Sequence, residues 1–143
     1  MSVNTNRILR GSTGNVWYNT TKIGTVKKIE AKVKGDFEED NFCGDNANYT
    51  IYNGWTGEGT LTIQKTDSAI WSDIAAGYKS GIMPSIKIVT ALTDVSTGQS
   101  ERVSIEAITI TEFDLVNFEA KKQVEIAFPF KFADYEIIET IQA

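Results

Sequence analysis

The chain has 143 residues, 41% of them hydrophobic and 23% charged, with a formal charge of −5, one cysteine and no histidine. That balance describes a single globular domain. It excludes a disordered chain, an internal disulfide, a Cys/His zinc site and any catalytic triad or general base built on histidine. An acidic chain with no cluster of Lys and Arg is not built to grip nucleic acid, although a polyanion sliding past without being held is compatible with it.

Residues 1–13 are polar, with Ile8 and Leu9 set between Arg7 and Arg10. The first ten residues lack the apolar core of a signal peptide. They read as an arm, either a frayed terminus or a segment that orders against a neighbouring subunit. Residues 14–19 form a short strand, followed by a turn at Asn19-Thr20-Thr21. A long strand then runs over residues 25–42. Ile29, Ala31, Val33 and Phe37 share one face, and Lys28, Glu30, Lys32 and Lys34 share the other. Gly35 predicts a kink there, since the alternation resumes without a change of parity. At about 3.3 Å per residue the strand extends roughly 55 Å, far more than a compact monomer uses, so it predicts a hairpin that projects or wraps.

Charge is segregated along this strand. Lys22, Lys27, Lys28, Lys32 and Lys34 come first, and Asp36, Glu38, Glu39 and Asp40 follow. One reading is solvated surface. The other is that the basic part of one copy meets the acidic part of another, which would fix register more than affinity. The acidic run lacks the glycine and ligand spacing of an EF-hand loop. Residues 43–53 read as a loop by their Gly, Asp and Asn content. Tyr49 and Tyr52 on it suit an interface, or tuck back onto their own domain.

Residues 54–65 carry the clearest signal. Trp55, Gly57, Gly59, Leu61 and Ile63 alternate with Thr56, Glu58, Thr60, Thr62 and Gln64. Period two marks a strand with one face on a core and one in water. Its two glycines lie on the apolar face, where they leave room for a large neighbour, either Trp55 or an aromatic from a facing strand. Residues 66–80 predict the one helix. Asp67 or Ser68 caps it, Ile70, Ile74 and Tyr78 form its apolar stripe, and Gly81 and Pro84 stop it.

Residues 85–93 and 101–111 are strands about a turn at residues 94–100. A switch of the apolar positions near Ala107 predicts a bulge. Residues 113–122 are ambiguous between strand and loop. In residues 123–133, Val124, Ile126, Phe128, Phe130 and Phe132 share a side, while Pro129 marks a sheet edge or a change of pairing. Tyr135, Ile137, Ile138 and Ile141 end the chain with an apolar tail that a monomer does not need. No apolar run approaches the length of a membrane-spanning helix. About seven strands and one helix predict a mainly antiparallel β-sandwich or open barrel plugged by the helix.

Several stretches together resemble the tail tube proteins of contractile-tailed phages and phage-tail-like bacteriocins, of the PBSX prophage type. They are Gly54-Trp55-Thr56-Gly57-Glu58-Gly59-Thr60, Tyr78-Lys79-Ser80-Gly81, Met83-Pro84-Ser85-Ile86-Lys87-Ile88-Val89 and Phe130-Lys131-Phe132-Ala133-Asp134-Tyr135-Glu136. Weaker agreement runs through residues 14–19 and 30–33. Cys43 and the asparagine-rich loop after it depart from the pattern. The resemblance implies one tail tube domain over residues 1–143, with residues 1–13 as its arm and 43–53 as its extended interaction loop.

It further implies stacked homohexameric rings whose strands join neighbours into a closed inner barrel, with no cofactor. The implied partners are the tail sheath, baseplate and tail terminator proteins, with a tape measure protein in the lumen and DNA in transit without specific binding. Thr56, Glu58, Thr60, Thr62 and Gln64 then suit a wet lumen wall. Ile8, Leu9, Asp36, Glu38, Glu39, Asp40, Tyr49 and Tyr52 suit subunit and ring contacts. At −5 per copy, the net charge of a ring should repel DNA rather than hold it.

Three other readings stand beside this one. A monomeric β-barrel or β-sandwich module requires an aromatic-lined concave pocket in one copy. A glycosidase needs paired carboxylates, and Glu30, Glu38, Glu39, Glu58 and Glu106 fall at no defined spacing. A tube of a non-contractile tail or secretion system shares the fold.

Overall fold

The structure, a computed structural model, describes residues 3–142. Its framework is one antiparallel sheet of seven strands in the order β2-β1-β5-β6-β7-β4-β3. The strands are β1 (Gly14–Tyr18), β2 (Thr21–Ile23), β3 (Val26–Asp40), β4 (Tyr49–Gln64), β5 (Ile86–Thr93), β6 (Ser100–Ile110) and β7 (Glu125–Glu139), with helix α1 (Ala69–Ser80) between β4 and β5. Strands β2 and β3 lie at opposite edges of the sheet, yet only two residues, 24 and 25, join them. So short a link holds the edges together only if the sheet has rolled up on itself. The fold is therefore an open barrel whose edges meet at one end and are not hydrogen-bonded to each other.

The core fills the inside of the roll. Leu61, Ile63, Ile88, Ile105, Ile108, Ile110, Phe128 and Phe130 are buried there, and α1 adds Ile74. β4 alternates as its sequence predicts, with Gly57, Leu61 and Ile63 buried inward and Thr56 and Glu58 exposed outward. The glycines do make room, but for the adjacent paired strand rather than for Trp55 or a facing one. Gly57 pairs with Phe132 and Gly59 with Phe130. Each ring folds across its glycine, so that a Cβ at Gly57 would lie 2.4 Å from the Phe132 ring.

One strand differs from expectation, and in a second the structure selects one of the two expected roles, the change of pairing at Pro129. Tyr49–Gln64 is one continuous strand, so residues 49–53 are not loop; they pair with Phe37–Asp40 across a register shift beside Asn53. β7 is not an edge. It lies between β6 and β4, and it changes partner along its length, pairing with β4 over residues 125–132 and with β6 over residues 130–139. Pro129 sits where this change occurs. Its carbonyl accepts the Thr111 N–H at 2.9 Å on the β6 side. β6 has just ended there, so the missing N–H of the proline costs no ladder bond.

The smaller differences have local causes. Thr21–Ile23 is a short strand, since Asn19 at φ 56° turns the chain tightly enough for Tyr18 to pair with Thr21. The helix begins at Ala69, where the Asp67 carboxylate accepts its N–H at 3.1 Å, three residues later than predicted. Gly81 ends it in the left-handed region at φ 80°. Residues 111–124 are loop throughout. Gly35 does not stop β3, as expected; it lies opposite Trp55 with the Phe37 ring laid over it, and the register shift falls just beyond it, between Asp36 and Phe37.

The bulge foreseen near Ala107 is present. β5 and β6 shift register there, and Ala107 sits at φ 52°. The extra residue lets Ile105 and Ile108 both face the core. Ala107→Gly is expected to raise stability by about 1 kcal/mol, since glycine occupies that region without the Cβ penalty. Urea denaturation of the two proteins measures it.

Candidate assembly site

The outward face of β4 is a surface rather than a pocket. Thr56 and Glu58 are exposed, and Thr60, Thr62 and Gln64 half-buried. Register sets their neighbours. Lys34 stands across from Thr56, Lys32 from Glu58, Glu30 from Thr60 and Lys28 from Thr62. On the other side Lys131 lies across from Glu58 and Glu125 from Gln64. Alternating Lys, Glu and Thr keep such a face wet. The Glu30 carboxylate takes Lys32 Nζ at 2.8 Å and Lys28 Nζ at 3.5 Å. The Lys32 hydrogen bond and charge, with Lys28 behind them, hold the Glu30 carboxyl below the ordinary range.

This face carries four lysines and three glutamates, so the chain's net charge of −5 resides elsewhere. Within a Debye length of about 8 Å a charged polymer beside this face would meet the face's own charges rather than the chain's total.

The acids gather at the far end of the β3–β4 hairpin. β7 leaves β4 at Gly57, so Lys34–Asp40 pair with β4 alone and stand clear of the barrel. Asp36, Glu38, Glu39 and Asp40 are exposed, and among the described residues none of the four enters an ion pair. Tyr49 and Tyr52 are also exposed. Tyr52 lies 5.6 Å from Phe37, and Tyr49 lies 5.5 Å from Phe42. The hairpin thus presents aromatic pairs and unneutralised carboxylates to solvent, a combination that a monomer gains nothing from holding out.

The arm holds to its own chain. Arg7 reaches the Asp94 carboxylate at 3.5 Å and donates to the carbonyl of Gln142 at 2.7 Å. Ile8 and Leu9 beside it stay exposed. Asp94 is itself buried. Burial pushes its carboxyl up, but hydrogen bonds from the Ser96 and Thr97 hydroxyls, the Ser96 N–H and Arg7 outweigh that and hold it below its ordinary value. A carboxyl whose folded value is lowered stabilises the protein fully above its unfolded value of 3.8 and loses that contribution as pH falls through the folded value. In Asp94→Asn the drop in thermal midpoint between pH 6 and pH 3 is expected to be smaller than in the parent, measured by calorimetry at both pH values.

Periodicity missed one surface. Trp55, Phe132 and Tyr135 form an aromatic cluster, with Trp55 and Tyr135 at 5.3 Å, and Tyr135, Ile137 and Val33 lie largely exposed around it. The available signal was the apolar end of the chain. A cleft of about 840 Å³ opens between β3 and the β1–β2 edge, lined by aliphatic and polar residues such as Val16, Ile29 and Lys22. No aromatic ring lines it, in contrast to the pocket a monomeric binding module requires.

The family described as "Phage tail tube protein" matches residues 1–139. The chain belongs to the phage tail tube family. That makes it a structural component of a phage or phage-like tail and not an enzyme. Among its relatives, the "Phage-like element PBSX protein XkdM" of Bacillus subtilis (strain 168) is 23% identical, over 99% of this chain and 97% of that one. The fold is shared with solved tube structures at lower identity. A chain from the structure of the anti-feeding prophage cap, the tube terminating cap, superposes at a TM-score of 0.77, with 11% identity over 98% of this chain and 95% of that one. A chain from the PVC sheath–tube complex of an extracellular contractile injection system, in its extended state, gives 0.74 with 11% identity over 97% and 100%.

Proposed function

We propose that this tail tube protein assembles into stacked hexameric rings that form the inner tube of a contractile tail, the conduit for ejected DNA or for membrane puncture. The observation that carries this is the pair of free margins on the rolled sheet. β3 is hydrogen-bonded on one side only along its whole length, and so many unpaired backbone groups require a partner strand. Sister copies joined around a ring supply it and close a continuous inner barrel.

In this arrangement Thr56, Glu58, Thr60, Thr62 and Gln64 line the lumen. Ile8 and Leu9 of the arm, Asp36, Glu38, Glu39 and Asp40 of the hairpin, and Tyr49 and Tyr52 lie between copies. The lumen holds the tape measure protein and then passes DNA. The likeness to a tube solved together with its sheath supports a sheath around this tube, with terminator and baseplate proteins at its ends.

Purified protein examined by sedimentation velocity and negative-stain microscopy over a concentration series tests the reading. Rings or hollow filaments are the expected outcome. A single-copy mass at the highest concentration reached, with compact particles on the grid, would overturn it.

A further inference from the structure

We infer that the cleft between β3 and the β1–β2 edge is the receptor for the hairpin tip of a second copy of this chain. The inference rests on the tube reading and gives one of its contacts a place. Three observations lead to it.

The first is the cleft's chemistry. Its floor is aliphatic, built from Val16, Ile29, Ala91 and Val103, and its rim carries Lys22, Lys27 and Lys28 against the single acid Glu101. Lys27 sits in the bulge between Val26 and Lys28, with no partner on β4. Among the described residues Lys22 and Lys27 enter no ion pair.

The second is the tip. Asp36, Glu38, Glu39 and Asp40 are as free of cations as those lysines are of anions. Beyond them the exposed rings of Phe42 and Tyr49 pack on each other at 5.5 Å. An acidic segment carrying an apolar end matches a basic rim around an apolar floor.

The third is geometric. Rim and tip belong to the same strand. Lys28 and Asp40 are twelve residues apart along β3, about 40 Å at 3.3 Å per residue. A chain therefore cannot seat its own tip in its own cleft, and the partner must be another copy. The contact joins two different patches, so it can repeat from copy to copy and build the ring or stack that the tube reading requires.

Two measurements on the full chain test this. In the first, Lys22→Glu with Lys27→Glu reverses the rim, and Asp36→Lys with Glu38→Lys reverses the tip. Each pair alone is expected to lower the yield of pelleted tubes about tenfold or more, and all four together to restore it to within about twofold of the parent. Circular dichroism of the unassembled chain checks that each variant folds. The second measurement uses Cys43, exposed at the tip and the one cysteine in the sequence. With Lys22→Cys added, a short thiol crosslinker is expected to give a ladder of covalent oligomers from assembled protein. With Lys79→Cys on the exposed side of α1 it is expected to give none. Tubes that ignore the charge reversals, or that leave positions 43 and 22 unlinked, overturn this inference and leave the tube reading standing. A parent chain that never assembles overturns both.

Discussion

Gly59→Ala is expected to lower the thermal midpoint by about 10 °C, the equivalent of about 3 kcal/mol, although it adds a single methyl group. A Cβ at Gly59 would lie 2.2 Å from the carbonyl oxygen of Glu30, 2.7 Å from the Phe130 ring and 3.0 Å from the Ala31 Cα. Two of these neighbours are backbone of the paired strand β3, which cannot rotate away as a side chain does. The third is a ring only 2% exposed, held against its neighbour Phe132. Relief therefore means pushing β3 off β4 or driving Phe130 out of the core. Gly24→Ala is the matched control. Nothing lies within 4 Å of a Cβ there, so its midpoint is expected to stay within about 2 °C of the parent. Scanning calorimetry of the two variants decides it; equal midpoints would show that β3 is not held against Gly59 as the register requires.

Replacing residues 36–54 by an Asn-Gly turn between Gly35 and Trp55 is expected to abolish tubes while leaving the barrel folded. Gly35 and Trp55 are a cross-strand pair, so a two-residue turn closes the shortened hairpin where the strands already face each other. The segment removed lies beyond the last β4–β7 pair, at Gly57, and contributes none of the buried core. Loss of the exposed Phe37–Tyr52 and Phe42–Tyr49 pairs is expected to shift the midpoint by no more than about 4 °C. Assembly is a different matter. The four unneutralised carboxylates and the exposed aromatics of the tip go with the deletion, and a contact between copies depends on both. Sedimentation velocity is expected to show a well-folded single copy where the parent forms larger species. Tubes of normal yield from the shortened chain would remove the hairpin from any role between subunits.

The sequence disclosed what depends on local rules. Alternation in β4 placed Leu61 and Ile63 inside and Thr56 and Glu58 outside, Gly81 ended the helix, and the phase change near Ala107 revealed the bulge. It concealed what depends on neighbours. Pro129 marked either an edge or a change of pairing because proline cannot donate, but which of the two it is depends on where β6 stops, at Ile110, nineteen positions back along the chain. Residues 49–53 looked like loop by composition, yet Phe37–Asp40 across the hairpin hold them extended. The candidate surface followed the same division. The wet face and the acidic run were visible as patterns. That the acids stand clear of the barrel, and that a lysine-rimmed cleft opens on the other half of the same strand, required the register and the strand order.

β7 follows both β4 and β6 along the chain, and its hydrogen bonds are what join the β2-β1-β5-β6 side of the sheet to the β4-β3 side. Until β7 has been synthesised, the nascent polypeptide holds two groups of paired strands tied only by covalent links, and the pairings between β4 and β7 that unite them span distant positions, which form slowly. The barrel therefore takes its shape in a late step, after its other six strands have been made.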